Sequence, residues 1–228
     1  MMSSASRGSA LVVLAATALT ACARTTPAVG QSSPVASAQT AARPATPRAT
    51  SDTTPSTPSA ADVNFMNGMI SHHAQALVMA GWAPSHGASP SVRVLCERIV
   101  NEQNDEIATM QQWLRDRKQP VPEAKPGPMK MVMNGVEHMM MMPGMLTDEQ
   151  MKQLDAARGP EFDRLFLTYM IQHHKGAVSM VNDLFATNGA AQDQTVFKLA
   201  SDIQVDQTTE VARMEKMLAA LPDSGRAP

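Results

Sequence analysis

With 228 residues the chain has room for one domain plus appendages. Its formal charge of −2 and pI near 6.3 offer no basic surface for a nucleic acid, and its two cysteines, Cys22 and Cys96, leave no disulfide framework in the mature protein. Methionine reaches 19 while aromatics stay at 4%, so the informative question is where the methionines cluster.

In chain order, residues 1–21 read as a lipoprotein signal peptide. Arg7 gives a weakly positive start, and the apolar run ALVVLAATALTA is too short to span a membrane comfortably. Leu19-Thr20-Ala21-Cys22 resembles a lipobox, which makes Cys22 the lipidated first residue; an ordinary signal peptide cleaved nearby is the alternative. Either way the domain leaves the cytoplasm, and the lipobox reading makes it a periplasmic or outer-surface protein of the cell envelope held to the membrane through Cys22. Residues 22–61 are Ala, Ser, Thr and Pro, with Pro27, Pro34, Pro44, Pro47, Pro55 and Pro58 among them, a composition expected to form a disordered tether.

The folded domain is expected over residues 62–221, all-α, with no convincing alternating strand. Helical patterns cover 62–83, 89–118, 160–187 and 190–220, and a 222–228 tail follows Pro222. Ser89-Pro90 supplies a cap and a proline at the first helical position, and Asn188-Gly189 supplies a stop. Between the second and third long helices lies a crossover, 119–159, that contains a short helix at 147–158 opened by the capping pattern Thr147-Asp148-Glu149-Gln150.

The four long helices are two copies of one hairpin. Phe65, Met69, Ile70, His72, His73, Ala76 and Met79 recur 101 residues later as Phe166, Met170, Ile171, His173, His174, Ala177 and Met180. In the partner helices Gln103, Glu106 and Met110 recur 104 residues later as Gln207, Glu210 and Met214. The expected architecture is a four-helix bundle of duplicated hairpins joined by a long methionine-rich crossover.

At 100° per residue, His73 shares a face with Met66, Met69, Ala76 and Ala80, while His72 falls on a flank with Met79. His73 and His174 are therefore expected to point inward, and His72 and His173 to sit at the rim. Glu106, Glu210, Gln103 and Gln207 are polar groups on apolar stripes and need partners if buried. Two readings stand side by side. The carboxylates accept hydrogen bonds from His73 and His174 in a purely structural layer, or they orient imidazoles that bind metal. Met110 and Met214, together with Met79 and Met180, are the further thioether candidates on these helices.

The crossover segment MKMVMNGVEHMMMMPGM, 129–145, holds eight methionines in 17 residues: Met129, Met131, Met133, Met139, Met140, Met141, Met142 and Met145, with His138 among them. Methionine specifies packing poorly, and Pro143-Gly144 stops a continuous helix. As ligands, thioethers select Cu(I), and imidazole accepts both oxidation states of copper. Thioethers also need no deprotonation and cannot be lost to disulfides in an oxidising compartment. No Glu-x-x-His motif argues for a di-iron site and no Cys-x-x-Cys-His for covalent haem. His86 reads as a solvated loop residue, and Cys96 as a small buried apolar one.

The paired Met-Ile-x-His-His motifs, with GMLTDEQMKQL and GPEFDRLFL before the second, resemble the DUF 305 family, to which periplasmic copper-binding proteins of the CopM type belong. The resemblance covers about 62–221. It implies a bundle of ferritin-like topology and the ligand candidates Met69, His72, His73, Met170, His173 and His174, beside the crossover methionines. The expected function is binding of copper, Cu(I) in preference and Cu(II) as well, for sequestration or for transfer to a copper-delivery or efflux protein, in support of copper tolerance. No catalysis is expected. An interaction module with structural histidines and a methionine-rich contact loop is the alternative, and a metal-dependent redox enzyme a third.

Overall fold

The computed structural model describes residues 57–133 and 135–222. The signal peptide at 1–21, Cys22, nearly all of the 22–61 tether and the tail from 223 onward lie outside the described residues.

The four long helices are α1 (Ala60–Gly81), α2 (Pro90–Asp116), α4 (Pro160–Ala186) and α5 (Gln194–Ala219), with the short α3 (Asp148–Ala156) ahead of α4. Local chemistry sets their ends. Ser59 Oγ accepts from Asp62 N at 3.0 Å to open α1, and Ser89 caps α2 ahead of Pro90. Both arms of the Thr147–Gln150 capping box form at α3. The last helix starts four residues later than expected: Asp193 accepts from Thr195 N and Val196 N, and Ala190 to Gln192 stay outside in the preceding turn.

The crossover departs from expectation in containing strand. Residues Met129–Met133 (β1) and Val136–Met140 (β2) pair antiparallel, with Met131 opposite His138. The cause is Asn134-Gly135, a strong signal for a two-residue hairpin turn, and Gly135 adopts φ +78° there.

Helix α1 pairs with α2, α4 pairs with α5, and the two hairpins meet through α1 and α4. These two run antiparallel, because Phe65 lines one cleft with Leu184 while His72 lies against His173. The core falls into two apolar clusters. One holds Phe65, Met66, Met69, Met110, Trp113, Met142, Met145, Met180 and Leu184; the other holds Met79, Leu95, Cys96, Phe162, Phe166, Met170 and Met214. Between them lies a buried polar layer of His72, His73, Gln75, Gln103, His173, His174, Gln207 and Glu210.

The duplication reaches the helix ends. The buried Asp62 accepts from Ala191 N at 2.7 Å, and its counterpart Asp163 accepts from Ser89 N at 3.1 Å, so each hairpin ties down the loop of the other. His86 is a correction. It is buried, stacked on Trp82 at 5.7 Å, and its Nε2 donates to the Asp155 carbonyl at 2.9 Å. It pins the α1–α2 loop to the end of α3, where the sequence showed only an isolated histidine between turn residues. Cys96 is buried as expected, and burial first, then Asp163, pushes its thiol up to about 12. A thiol held that far from thiolate is a poor metal ligand. Among the described residues no helix is long and apolar enough to cross a membrane.

Candidate metal centre

All four motif histidines are buried in the polar layer, and the expectation that His72 and His173 form a rim is corrected. Periodicity placed them on a flank, but α1 and α4 each have neighbours on two sides, so the flanks face each other. The His72 and His173 rings pack at 3.8 Å between centroids, and each lies 6.2 Å from the ring of the adjoining histidine.

Each imidazole is held by one nitrogen. His73 Nε2 donates to Glu106 Oε2 at 2.6 Å, and His174 Nε2 donates to Glu210 Oε2 at 2.7 Å. His72 Nε2 donates to the Pro143 carbonyl at 3.0 Å, and His173 Nε2 to the His72 carbonyl at 3.1 Å. Carbonyls and carboxylates accept, which puts a proton on each Nε2, and in the neutral His72 and His173 rings that leaves Nδ1 a lone pair. All four Nδ1 atoms are buried without a hydrogen-bond partner among the described residues. Native cores rarely leave such atoms orphaned. Ligating histidines, by contrast, characteristically give the other ring N–H to a carboxylate or carbonyl, as all four do here.

Burial pushes His72 down to about 3, with His73 beside it adding to the shift, and holds His173 well below its ordinary value. Both stay neutral at physiological pH, the form that binds metal. Gln103, with both amide atoms unpartnered, and Gln207 Oε1 lie in the same layer. No group of three or more His, Cys, Asp or Glu side chains converges to hold an ion among the described residues. An ion held here would combine few imidazoles with thioethers, and the apolar clusters on either side of the layer supply Met69 and Met110 on one and Met170 and Met214 on the other.

The crossover methionines from 139 to 145 split into two sets. Met142 and Met145 are buried in the first apolar cluster with Met180, while His138, Met139, Met140 and Met141 are exposed on the hairpin side; Met79 lies in the other cluster. Two mid-helix glycines explain the buried set. A Cβ on Gly176 would stand 2.0 Å from the Pro143 oxygen, so only glycine lets the Pro143–Gly144 turn lie on α4. A Cβ on Gly68 would stand 2.7 Å from Met142 Sδ. Gln75 completes the strap: its carboxamide donates to the Leu146 carbonyl at 3.0 Å and accepts from Leu146 N at 2.7 Å. Sequence reasoning missed Gly68, Gln75, Gly176 and the Pro143 carbonyl, although a glycine inside a helical pattern was a usable sign of close approach.

The family described as a domain of unknown function, DUF305, matches residues 62–218. The chain belongs to the DUF305 family. Among solved members, a DUF305 protein of Streptomyces coelicolor is 29% identical, with 70% of this chain and 92% of that one covered at a TM-score of 0.59. A DUF305 fragment from Deinococcus radiodurans is also 29% identical, covering 72% and 99% at 0.59. CopM, solved in a Cu(I)-bound form, is 27% identical over 69% of this chain and 95% of its own, at 0.52. CopM was also solved in Cu(II)-bound and apo forms. A protein of Acanthamoeba polyphaga mimivirus is 35% identical over 57 residues, and the chain spans 38% of its length.

Proposed function

We propose that the chain is an exported, lipid-tethered copper-binding protein that holds Cu(I), and Cu(II) through its histidines, for sequestration or transfer in copper tolerance. The observation that carries this reading is the set of four buried imidazoles, each with Nε2–H donated to a fixed acceptor and Nδ1 without a hydrogen-bond partner among the described residues. The similarity to CopM, solved with both Cu(I) and Cu(II), supports it.

In this reading Glu106 and Glu210 fix the ring orientation of His73 and His174. Thioethers complete a soft coordination set without a proton to lose. The arrangement binds cargo and performs no turnover. Export follows from the leader and Cys22, and a copper-delivery or efflux protein would receive the ion.

An anaerobic Cu(I) competition titration tests the reading. His73→Ala/His174→Ala should weaken binding by at least about tenfold relative to the unaltered protein, the scale that loss of orienting or ligating groups produces. Absence of Cu(I) binding by the unaltered protein would overturn it. The exposure of Met139, Met140 and Met141 favours a second reading, a methionine surface for an apolar partner. A complex that forms equally with and without copper would favour that one.

A further inference from the structure

A cleft of about 350 Å³ opens between the first turns of α1 and the last turns of α4. Apart from Asn64, Asp183 and Thr187, its walls are carbon and sulfur, and four of its lining side chains are thioethers: Met140, Met141, Met142 and Met180. Met140 and Met141 form the outer wall at 41% and 44% exposure, while Met142 and Met180 form the inner wall at 5% and 8%. The inner pair meets over Gly68, whose absent Cβ would lie 2.7 Å from Met142 Sδ and 3.4 Å from Met180 Cε. Met139, 65% exposed, is not among the lining residues, and neither is any imidazole.

We propose that this cleft is a second metal site, separate from the imidazole layer, which takes a soft monovalent ion on thioethers alone and is switched off when peroxide oxidises Met140 and Met141. It rests on the reading of the chain as a copper-binding protein. Four neutral thioethers suit Cu(I) or Ag(I), whereas Cu(II) is offered no imidazole and only the oxygens of Asn64, Asp183 and Thr187 at the wall. Asp183 at the wall supplies one negative charge to balance one positive ion.

The switch follows from the same sulfurs. A thioether lone pair attacks one oxygen of hydrogen peroxide, so an S–O bond forms and the O–O bond breaks. Sulfur loses two electrons and the departing hydroxide takes the remaining proton to leave as water. The sulfoxide is a polar, hard oxygen donor, and the soft donor is gone. Exposure sets the order, with the outer pair reacting before Met142 and Met180. Occupancy sets the rate, because a bound ion engages the lone pairs that peroxide needs. Met139 is a built-in control, more exposed than the outer pair and outside the cleft.

Peptide mapping by mass spectrometry after peroxide treatment, with and without one equivalent of redox-inert Ag(I), tests this. Without Ag(I), Met139 should oxidise somewhat faster than Met140 and Met141, and Met142 and Met180 at least about tenfold more slowly than that outer pair. With Ag(I), Met140 and Met141 should slow by about tenfold while Met139 does not. Protection should persist in His73→Ala/His174→Ala, and Met140→Leu/Met141→Leu should remove one Ag(I) equivalent from the titration. Rates at Met140 and Met141 that Ag(I) leaves unchanged would overturn the proposal. So would protection that disappears with the imidazoles, since the ion would then sit in the layer. Protection that survives in a protein whose imidazoles bind no copper would overturn the proposed function and leave the cleft standing.

Discussion

The two hairpins are near copies, and the places where they part company locate the crossover. His73–Glu106 and His174–Glu210 match to within 0.1 Å, and Asp62 and Asp163 repeat the same loop tie. The departures sit on one side of α1 and α4. Gly68 stands opposite Tyr169 in the alignment, and Gln75 opposite Gly176. Gly68 makes room for Met142, Gly176 for Pro143, and Gln75 holds Leu146. Ser71 donates to the carbonyls of Lys125 and Gly127, whereas its counterpart Gln172 donates to that of Gly144. Positions kept in both halves thus supply the imidazoles, Gln103 and Gln207 and the carboxylates of the layer, and positions that differ, Gln75 among them, build the seat for the strap. The strap also explains why His72 donates to Pro143 while His173 must use a helix carbonyl.

The largest expected effect tests the two halves together. His72 and His173 are neutral when folded and titrate near the ordinary 6.5 when unfolded. Folded values below unfolded ones mean stability that is complete above pH 6.5 and lost as the pH falls toward about 3, where His72 itself protonates. Between pH 6.5 and 5 the apoprotein should lose about 3 kcal/mol, with the protons taken up on unfolding rising from about one to nearly two. Chemical denaturation across that range measures it, and a slope that levels off at one proton would show that the copies are not equivalent.

Next in size is Gly176→Ala, which drives a Cβ into backbone that cannot move aside. It should cost about 3 kcal/mol in urea denaturation, and Gly68→Ala only about 1, because the atom in its way ends a flexible methionine. Equal costs would mean that the strap is not rigid. Removing the carboxylates should separate the halves more finely. The side chain of Glu210 is 3% exposed and that of Glu106 14%, so water can replace one partner but not the other. Glu210→Ala should therefore cost about 2 kcal/mol and Glu106→Ala about 1. Reversal of that order by thermal melting would contradict the burial argument.

Much of the bundle was legible because it is written twice. Repeats at 101 and 104 residues paired His73 with His174 and Glu106 with Glu210, periodicity turned the two histidines inward, and simple caps marked most helix ends. What was hidden depended on which helix lies beside which. Periodicity places His72 on a flank but cannot say that α4 covers it. The hairpin at 129–140 escaped notice because its methionines looked like ligands before they looked like strand, although Asn134-Gly135 announced the turn. Mid-helix glycines carry no pattern of their own, so the landing of Pro143 on Gly176 appears only in three dimensions.

The buried polar layer also fixes alignment. Four helices with an uninterrupted apolar core could slide past one another by a turn, about 5.4 Å, and still bury carbon against carbon. Here such a slip would set Glu210 and the four imidazoles against Met69, Met110, Met170 or Met214 and break the hydrogen bonds they make. The layer is thus a vernier mark as well as a set of donors. It sets the relative height of the helices, and with it the level at which the methionines above and below come to rest.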